Sequence, residues 1–441
     1  MINRLKTISG NKYNSDVLLN FLFRIISTIL SLVYVKLCIM CLGANEYGLW
    51  ATISSVVSWM GCGDLGIGNG IRNQVAYAYG KNNDMRIKSI IATGANCIIV
   101  VAGFLFAIMI LICEILFRID ILDISLRIPM YITGFIFCIN MILGISQSIS
   151  FGYQKSWLVS LTYCIGVLIS CCSVGGLIIS DSIINLVTFS IVNGICMLLP
   201  NVLLLVILKR EDIVVFSPII KKYYNSLLKD EIVTKGIGFF IIQISALVLY
   251  STDNVIINYL FNGSAVTEYS IITKIYETGS GFFSILLISL WSAVTFHASC
   301  NDYKWIYSKL KQLLKIWLFF SFGVIFVSIS LNNIVKIWLG NNAVIYENNM
   351  ILLFCIYCLL TTFSAIFVNI LNGLGIIKLQ IVLSFCAAIV NVPLSIYLAK
   401  ICNLGILGVK LGTFLCIIIT SIFIPVQTIV FLKRRLKIYN K

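Results

Sequence analysis

Residues 17–41 read "VLLNFLFRIISTILSLVYVKLCIMC", and this long apolar run decides the fold. A helix of about 20 apolar residues crosses the ~30 Å hydrocarbon core of a bilayer. The run is much longer than the apolar region of a cleavable signal peptide, which has about 7–15 residues. We therefore predict a first membrane-spanning helix that stays attached to the rest of the protein.

The composition extends this prediction to the whole chain. Hydrophobic residues make up 60% of the 441 positions, and charged residues make up only 11%. A soluble domain has roughly 45–50% apolar and about 25% charged residues. The chain is therefore predicted to be an all-α integral membrane protein.

Cysteine usage predicts neither a metal nor a redox cofactor. Most of the 16 cysteines lie inside apolar runs, where cysteine behaves as a small hydrophobic residue. Cys38 with Cys41, and Cys355 with Cys358, have C-x-x-C spacing, but the chain has only one histidine, His297. With one histidine, the chain offers too few nitrogen ligands for the usual cysteine–histidine zinc sites. We expect no cofactor, no metal site and a surface position for His297.

Apolar runs of spanning length recur along the whole sequence. They number twelve, so both termini lie on the same side of the membrane. They are approximately residues 17–41, 47–66, 89–113, 128–150, 157–180, 183–208, 236–261, 268–290, 313–332, 349–372, 379–399 and 405–432.

Lysine and arginine in short loops set the orientation of such a protein. With the N-terminus inside, 24 of the 32 basic residues fall in cytoplasmic segments. Both termini are therefore predicted to be cytoplasmic. Basic loops beside an anionic inner leaflet explain the net charge of +15. No nucleic-acid partner is needed to explain it.

Weak internal repeats divide the chain into two pseudo-symmetric halves of six helices. Glu46-Tyr47 recurs as Glu268-Tyr269, Asn83-Asp84 as Asn301-Asp302, and Pro200 as Pro425, all at nearly the same separation. The predicted organisation is a six-helix bundle over 1–208, a basic cytoplasmic linker over 209–235 and a second six-helix bundle over 236–441.

A nucleotide-binding motif has to be considered at residues 58–73, "SWMGCGDLGIGNGIRN". Gly61, Gly63 and Gly66 match the spacing G-x-G-x-x-G. That motif binds dinucleotides only between a strand and a helix, and here it closes a membrane span. We expect the glycines to unwind the helix end, with amphipathic segments 71–88 and, in the second half, 296–315 lying in the membrane interface.

Three segments carry a resemblance to a known family. They are "LGANEYGLW" (42–50), "GDLGIGNGIRN" (63–73) and "STDNVIINYLF" with "SAVTEYS" (251–270). The chain resembles the Wzx-type O-antigen and polysaccharide flippases of the multidrug/oligosaccharidyl-lipid/polysaccharide exporter superfamily. The resemblance implies a V-shaped pair of bundles that moves an undecaprenyl-diphosphate-linked oligosaccharide between the leaflets of a bacterial inner membrane. A polymerase and a chain-length regulator are the protein partners to consider.

Ionisable residues inside spans are costly and are therefore candidates for function. At ~1.5 Å per residue, Arg24 and Asp64 lie at a similar depth on either side of the first outer turn, and we expect them to pair. Arg24 is the first candidate for binding the diphosphate, because its planar fork suits phosphate. Its alternatives are a packing ion pair or a side chain that reaches the inner surface.

The same reasoning predicts a second charged cluster of Asp253, Lys274 and Glu277. Lys274 would bind the diphosphate in the outward half, and the two carboxylates would either couple transport to an ion gradient or neutralise Lys274. Lys36 and Lys410, near the outer ends of their spans, are outer cavity cations or merely extend to the surface.

Other functions stay open. A drug or cation antiporter of the same superfamily would favour an acidic cavity, whereas the spans hold four basic and three acidic residues. A lipid II flippase usually has extra spans. A polymerase or glycosyltransferase commonly has a large outer loop, and the segments 114–127 and 333–348 are short and lack a carboxylate pair with a basic partner. We therefore predict no catalytic residues.

Overall fold

The regular structure is entirely helical in the part of the chain that can be described. The computed structural model describes residues 2–118, 124–179, 185–211, 223–261, 263–339 and 344–439, and no strand occurs among them. The chain forms two compact units, Met1–Phe240 and Ile241–Lys441. Each unit is described by itself.

The helices are numbered in chain order. In the first unit they are α1 (Ile2–Trp59), α2 (Ile67–Gly80), α3 (Asp84–Arg118), α4 (Arg127–Leu143), α5 (Ile145–Gly152), α6 (Ser156–Ile179) and α7 (Leu186–Arg210). Helix α8 (Ser226–Leu260) runs across the boundary between the units. The second unit continues with α9 (Gly263–Ser299), α10 (Tyr303–Ile329), α11 (Leu331–Leu339), α12 (Asn348–Leu374), α13 (Lys378–Ile396) and α14 (Gly405–Tyr439).

Eleven helical stretches among the described residues are long and apolar enough to cross a membrane. They are Ser15–Gly43, Asp84–Ile115, Arg127–Gly152, Ser156–Ile179, Leu186–Arg210, Gly236–Ile257, Glu268–Ser299, Tyr303–Ile329, Asn348–Leu374, Lys378–Ile401 and Gly405–Leu436. Each coincides with one of the twelve spans expected from the sequence. The expected second span, 47–66, does not meet the same criterion.

The second span differs because its α-helix ends early. Helix α1 breaks at Gly43 (φ 76°, ψ 166°), in the predicted outer turn, and the returning arm ends at Trp59. A 3₁₀ turn, Met60–Asp64, follows it. Glycine costs about 1 kcal/mol relative to alanine inside a helix, and this turn contains two glycines. The returning arm is therefore shorter than the other crossings.

Helix α2, which we expect to lie in the membrane interface, also packs within the first unit. Its N-cap is Gly66, which has a φ of 68°, and the helix packs against α3 and α5. Ile71 and Val75 are fully buried, and the guanidinium carbon of Arg72 lies 4.5 Å from the ring centre of Phe151. The amphipathic pattern therefore reflects packing within the first unit.

Polar side chains join helices in the first unit. The Asn20 amide donates to Ser156 Oγ at 2.9 Å, and Ser160 Oγ donates to Asn20 Oδ1 at 2.6 Å, which ties α1 to α6. Gln147 Nε2 donates to Asn201 Oδ1 at 2.8 Å. These amides therefore act as interhelical contacts.

In the second unit, α12 packs against α9, α10 and α14, and α13 packs against α14. Phe354 of α12 and Val409 of α14 are fully buried in the apolar core. Helix α13 continues into a π-helical turn, Tyr397–Ile401, a few residues after Pro393. This packing brings one face of each of α8, α9, α12 and α14 to a common cavity.

Candidate substrate cavity

The second unit contains a cavity of about 550 Å³ between α8, α9, α12 and α14. Four ionisable residues singled out from the sequence line it, namely Asp253, Lys274, Glu277 and Lys410. The volume lies within the usual range of about 300–1,000 Å³ for small-molecule pockets. Polar side chains from four helices therefore line one cavity that can hold part of a ligand.

Asp253 is held deep in the wall of this cavity. Its side chain is 3% exposed. Its Oδ1 accepts a hydrogen bond from Thr413 Oγ1 at 2.7 Å, and its Oδ2 accepts one from the Tyr269 hydroxyl. Lys410 Nζ lies 3.9 Å from Oδ2. Buried charges are tolerated when they are paired and hydrogen-bonded, and Asp253 meets both conditions.

Lys410 does not extend to the membrane surface, which was one of its two expected roles. It is 4% exposed, and its ammonium lies 3.6 Å from the ring centre of Tyr357 and 4.9 Å from that of Phe354. The ring faces attract the cation electrostatically. The lysine is therefore held by an aromatic wall on one side and by a carboxylate on the other.

Lys274 and Glu277 differ from this buried pair. Both side chains are exposed, both line the cavity, and neither forms an ion pair within the described part of the chain. The sequence predicted a cluster of Asp253, Lys274 and Glu277. The three do meet at one cavity, but the ion-pair partner of Asp253 is Lys410 instead of Lys274.

Hydroxyl groups and aromatic rings complete the lining. They come from residues that the sequence analysis did not single out, because they are scattered over three helices and share no spacing signal. They are Tyr250, Tyr269, Tyr276, Tyr357, Ser270, Thr273, Ser280, Ser284, Thr361 and Thr362. Such a surface offers both hydrogen bonds and flat apolar faces.

The expected Arg24–Asp64 ion pair is not formed between these described residues. The Asp64 carboxylate instead accepts from the backbone N–H of Gly66 at 2.9 Å and of Gly68 at 3.3 Å. The unwound start of α2 leaves N–H groups that need acceptors, and Asp64 is the nearest one. The Arg24 side chain is exposed, with its guanidinium carbon 6.0 Å from the ring centre of Tyr163.

The first unit contains a smaller cavity of about 150 Å³, lined by side chains that include Trp50, Val57, Phe137 and Asn193. Neither Arg24 nor Lys36 lines it. The Lys36 side chain is exposed. The large polar cavity therefore belongs to the second unit, and the predicted cations of the first unit do not share a pocket with it.

His297 is not a surface residue, contrary to expectation. It is 0% exposed and stacks on Trp305, with ring centres 3.8 Å apart and an angle of 4° between the planes. Its Nδ1 lies 3.3 Å from Asp302 Oδ2. Asp302 also accepts from the backbone N–H of Trp305, which stabilises the start of α10. His297 therefore contributes to the turn between α9 and α10, away from the cavity.

The described residues contain no group of three or more histidine, cysteine, aspartate or glutamate side chains that could hold a metal ion. Cys355 and Cys358 are buried free thiols.

Comparison with known proteins gives one match by sequence and several by structure. No protein-family model matches the chain. It is 23% identical over 411 residues to a Yersinia pseudotuberculosis protein named "Putative O-antigen export protein", a match that covers 90% of this chain and 91% of the relative.

The structural matches share the fold at lower sequence identity. The Vibrio cholerae MATE transporter VcmN in the bent form has a TM-score of 0.80 and 11% identity, covering 97% of this chain and 98% of that one. A multidrug resistance MATE family transporter in an outward-facing conformation has a TM-score of 0.76 and 13% identity, covering 96% and 97%. A Pyrococcus furiosus transporter of the same superfamily has a TM-score of 0.78 and 12% identity, covering 97% and 96%.

The described residues form a multi-pass helical membrane protein with eleven stretches of spanning length, and its fold is that of the MATE transporters. Together with the sequence relative, this fold supports the resemblance to the Wzx-type flippases found in the loops. The chain is similar to a protein named for O-antigen export over 90% of its length, and it shares the fold of the MATE transporters.

Proposed function

We propose that the protein translocates an undecaprenyl-diphosphate-linked oligosaccharide, an O-antigen unit or a similar repeat, from the cytoplasmic to the periplasmic leaflet by alternating access. The sequence relative is named for O-antigen export, which supports this class of substrate. The proposed setting is the inner membrane of a bacterium. A polymerase and a chain-length regulator would act on the delivered unit.

The observation that carries the proposal is the composition of the cavity in the second unit. It combines an exposed cation, Lys274, with tyrosine rings and several hydroxyl groups. A lipid diphosphate cannot enter hydrocarbon without a partner for its negative charge. Sugar rings in turn present apolar faces, which pack on aromatic rings, and hydroxyl groups, which need hydrogen bonds. The lining meets both requirements.

Two cations are proposed to meet the diphosphate in turn. Arg24 would bind it near the cytoplasmic side, where its exposed guanidinium can donate two parallel hydrogen bonds to phosphate. Lys274 would bind it in the second unit. Asp253 and Glu277 would adjust the charge of the cavity, and an ion-coupling role for either is part of the same proposal.

The proposal is tested in a host that lacks its own copy of this gene and depends on it for surface polysaccharide. Lys274→Ala should reduce surface polysaccharide by about ten- to hundredfold at unchanged protein level, because a hydrogen bond to a charged group contributes roughly 1.5–3 kcal/mol. Lys336→Ala is the matched control, since Lys336 is an exposed lysine of the same unit outside the cavity lining. Normal export by Lys274→Ala, or failure of the wild-type gene to restore export, would contradict the proposal.

A drug or cation antiporter is the second candidate. The cavity itself holds two basic and two acidic residues, so the excess of basic residues in the spans does not exclude a cationic substrate. Aromatic rings already surround the Lys410 ammonium, as they could surround an organic cation. Resistance to cationic drugs, conferred on a drug-sensitive host without any effect on polysaccharide, would favour this alternative.

A further inference from the structure

The charges of the cavity fall into two groups. Asp253 and Lys410 are buried, lie 3.9 Å apart and neutralise each other. Lys274 and Glu277 are exposed to the cavity without an ion-pair partner among the described residues. Glu277 interacts electrostatically with Lys410 at longer range than an ion pair, so a ligand in the cavity meets Lys274 and Glu277 as its two exposed charged side chains.

These two available charges have a fixed spatial relationship. Lys274 and Glu277 are three residues apart on α9, which is continuous from Gly263 to Ser299. Residues at this spacing lie on the same helix face, with Cβ atoms about 5–6 Å apart. The charged groups can therefore reach substituents on one sugar ring or on two adjacent rings.

The surroundings of the two charges suit a carbohydrate. Ser270 and Ser280 lie about one turn from Lys274 and Glu277 on the same helix, and Tyr250 and Tyr357 line the cavity from α8 and α12. Hydroxyl groups can bond the ring oxygens and hydroxyls of a sugar, and tyrosine rings can cover its apolar face. A charged group on the ligand that finds no partner of opposite sign in this cavity costs free energy. A ligand whose charges complement those of Lys274 and Glu277 is therefore favoured.

We infer that this cavity recognises a sugar residue bearing both an anionic and a cationic substituent, such as an amino sugar acid, within the transported oligosaccharide. When the sugar occupies the cavity in place of the diphosphate, Lys274 contacts the carboxylate of the sugar, and Glu277 contacts its ammonium group. The inference rests on the proposed function, which it narrows to repeats that contain a zwitterionic sugar or adjacent sugars of opposite charge.

The test measures binding of four matched monosaccharides to the purified full-length protein by calorimetry. They are 2-amino-2-deoxyglucuronic acid, which carries both charges, glucuronic acid, glucosamine and the neutral N-acetylglucosamine. The zwitterionic sugar should bind about threefold to fivefold more tightly than either singly charged sugar, as expected for solvent-accessible ion pairs. Equal affinity for all four sugars, or no binding of any, would overturn the inference.

Two variants test which side chain contacts which charged group of the sugar. Lys274→Met should reduce the affinity for the zwitterionic sugar to that for glucosamine, and Glu277→Gln should reduce it to that for glucuronic acid. Affinity for N-acetylglucosamine should not change in either variant, which shows that the cavity is intact. Lys336→Met is the control and should keep the full preference. Unchanged preference in both cavity variants would overturn the assignment.

A separate measurement distinguishes failure of this inference from failure of the proposed function. If the wild-type gene restores surface polysaccharide but the purified protein shows no preference for the zwitterionic sugar, only the inference is wrong. If the gene does not restore polysaccharide, the proposed function is wrong, whatever the sugar binding shows.

Discussion

Lys410 Nζ lies 3.9 Å from Asp253 Oδ2, and both side chains are almost completely buried in the second unit. The two residues come from α14 and α8, far apart in the chain. Each is also held by other groups, the carboxylate by two hydroxyls and the ammonium by aromatic rings. The pair is therefore a fixed part of the cavity wall.

Removing one member of this pair should destabilise the protein more than removing both. Lys410→Met leaves the Asp253 carboxylate buried beside an apolar group, and loss of one partner of a buried ion pair costs about 3–5 kcal/mol. The double variant Asp253→Asn with Lys410→Met should recover most of that loss. Thermal unfolding of the detergent-solubilised protein measures both effects, with Lys336→Met as control. A single variant as stable as the wild type would contradict this prediction.

Arg24→Ala should abolish surface polysaccharide while protein abundance stays at the wild-type level. The Arg24 side chain is exposed and has no carboxylate partner among the described residues, so its loss leaves no buried charge behind. Immunoblotting and polysaccharide staining in the dependent host measure the two quantities. Lys88→Ala, which removes an exposed cation of α3 in the same unit, is the matched control. Normal export by Arg24→Ala would refute its role at the diphosphate.

Asp64→Ala should lower stability through the start of α2, independently of Arg24. The carboxylate accepts from the N–H groups of Gly66 and Gly68, and loss of such a cap costs about 1 kcal/mol. Thermal unfolding of Asp64→Ala, Arg24→Ala and the double variant should give additive effects. Strong non-additivity would indicate that Asp64 and Arg24 interact in solution.

Gly66→Ala should be far more disruptive than Gly43→Ala. Both glycines have positive φ, and Gly43 has a ψ of 166°, so each substitution costs roughly 1–3 kcal/mol in backbone strain. A Cβ at Gly66 would also lie 2.3 Å from the Gly236 carbonyl oxygen, whereas a Cβ at Gly43 meets nothing within 4 Å. The yield of folded, monodisperse protein in size-exclusion chromatography measures the difference. Equal yields for the two variants would be inconsistent with the close approach at Gly66.

Depths in the membrane calculated from the sequence at a constant rise per residue predict which residues meet where the helices are regular. Asp253 and Glu277, predicted at one depth on either side of an outer turn, do line one cavity, because α8 and α9 each follow a constant rise per residue. The same arithmetic was wrong for Arg24 and Asp64. The helix ends at Trp59, before it reaches Asp64, and the free N–H groups of α2 take the carboxylate.

The partner of Asp253 could not be predicted, since it depends on the rotation of α14 about its own axis. A helix that is apolar all round carries little information about which face it turns to its neighbours. The position of Lys410 near the end of a span leaves two alternatives, an outer cavity cation or a side chain that reaches the surface, and the structure places it in the cavity lining. Its aromatic surroundings come from Tyr357 and Phe354 of α12, and no sequence spacing connects them to Lys410.

Helix α9 of the second unit is continuous where the corresponding path in the first unit is interrupted. It runs unbroken for 37 residues, and it carries Lys274 and Glu277 at the cavity and His297 beside the following turn. At ~1.5 Å per residue, a continuous helical segment about 30 Å long joins Glu277 to His297. In the first unit the corresponding path is interrupted by the 3₁₀ turn and Gly66. In the proposed transport cycle, a tilt of α9 near His297 would therefore move Lys274 and Glu277 with it, whereas the 3₁₀ turn separates the returning arm of α1 from α2.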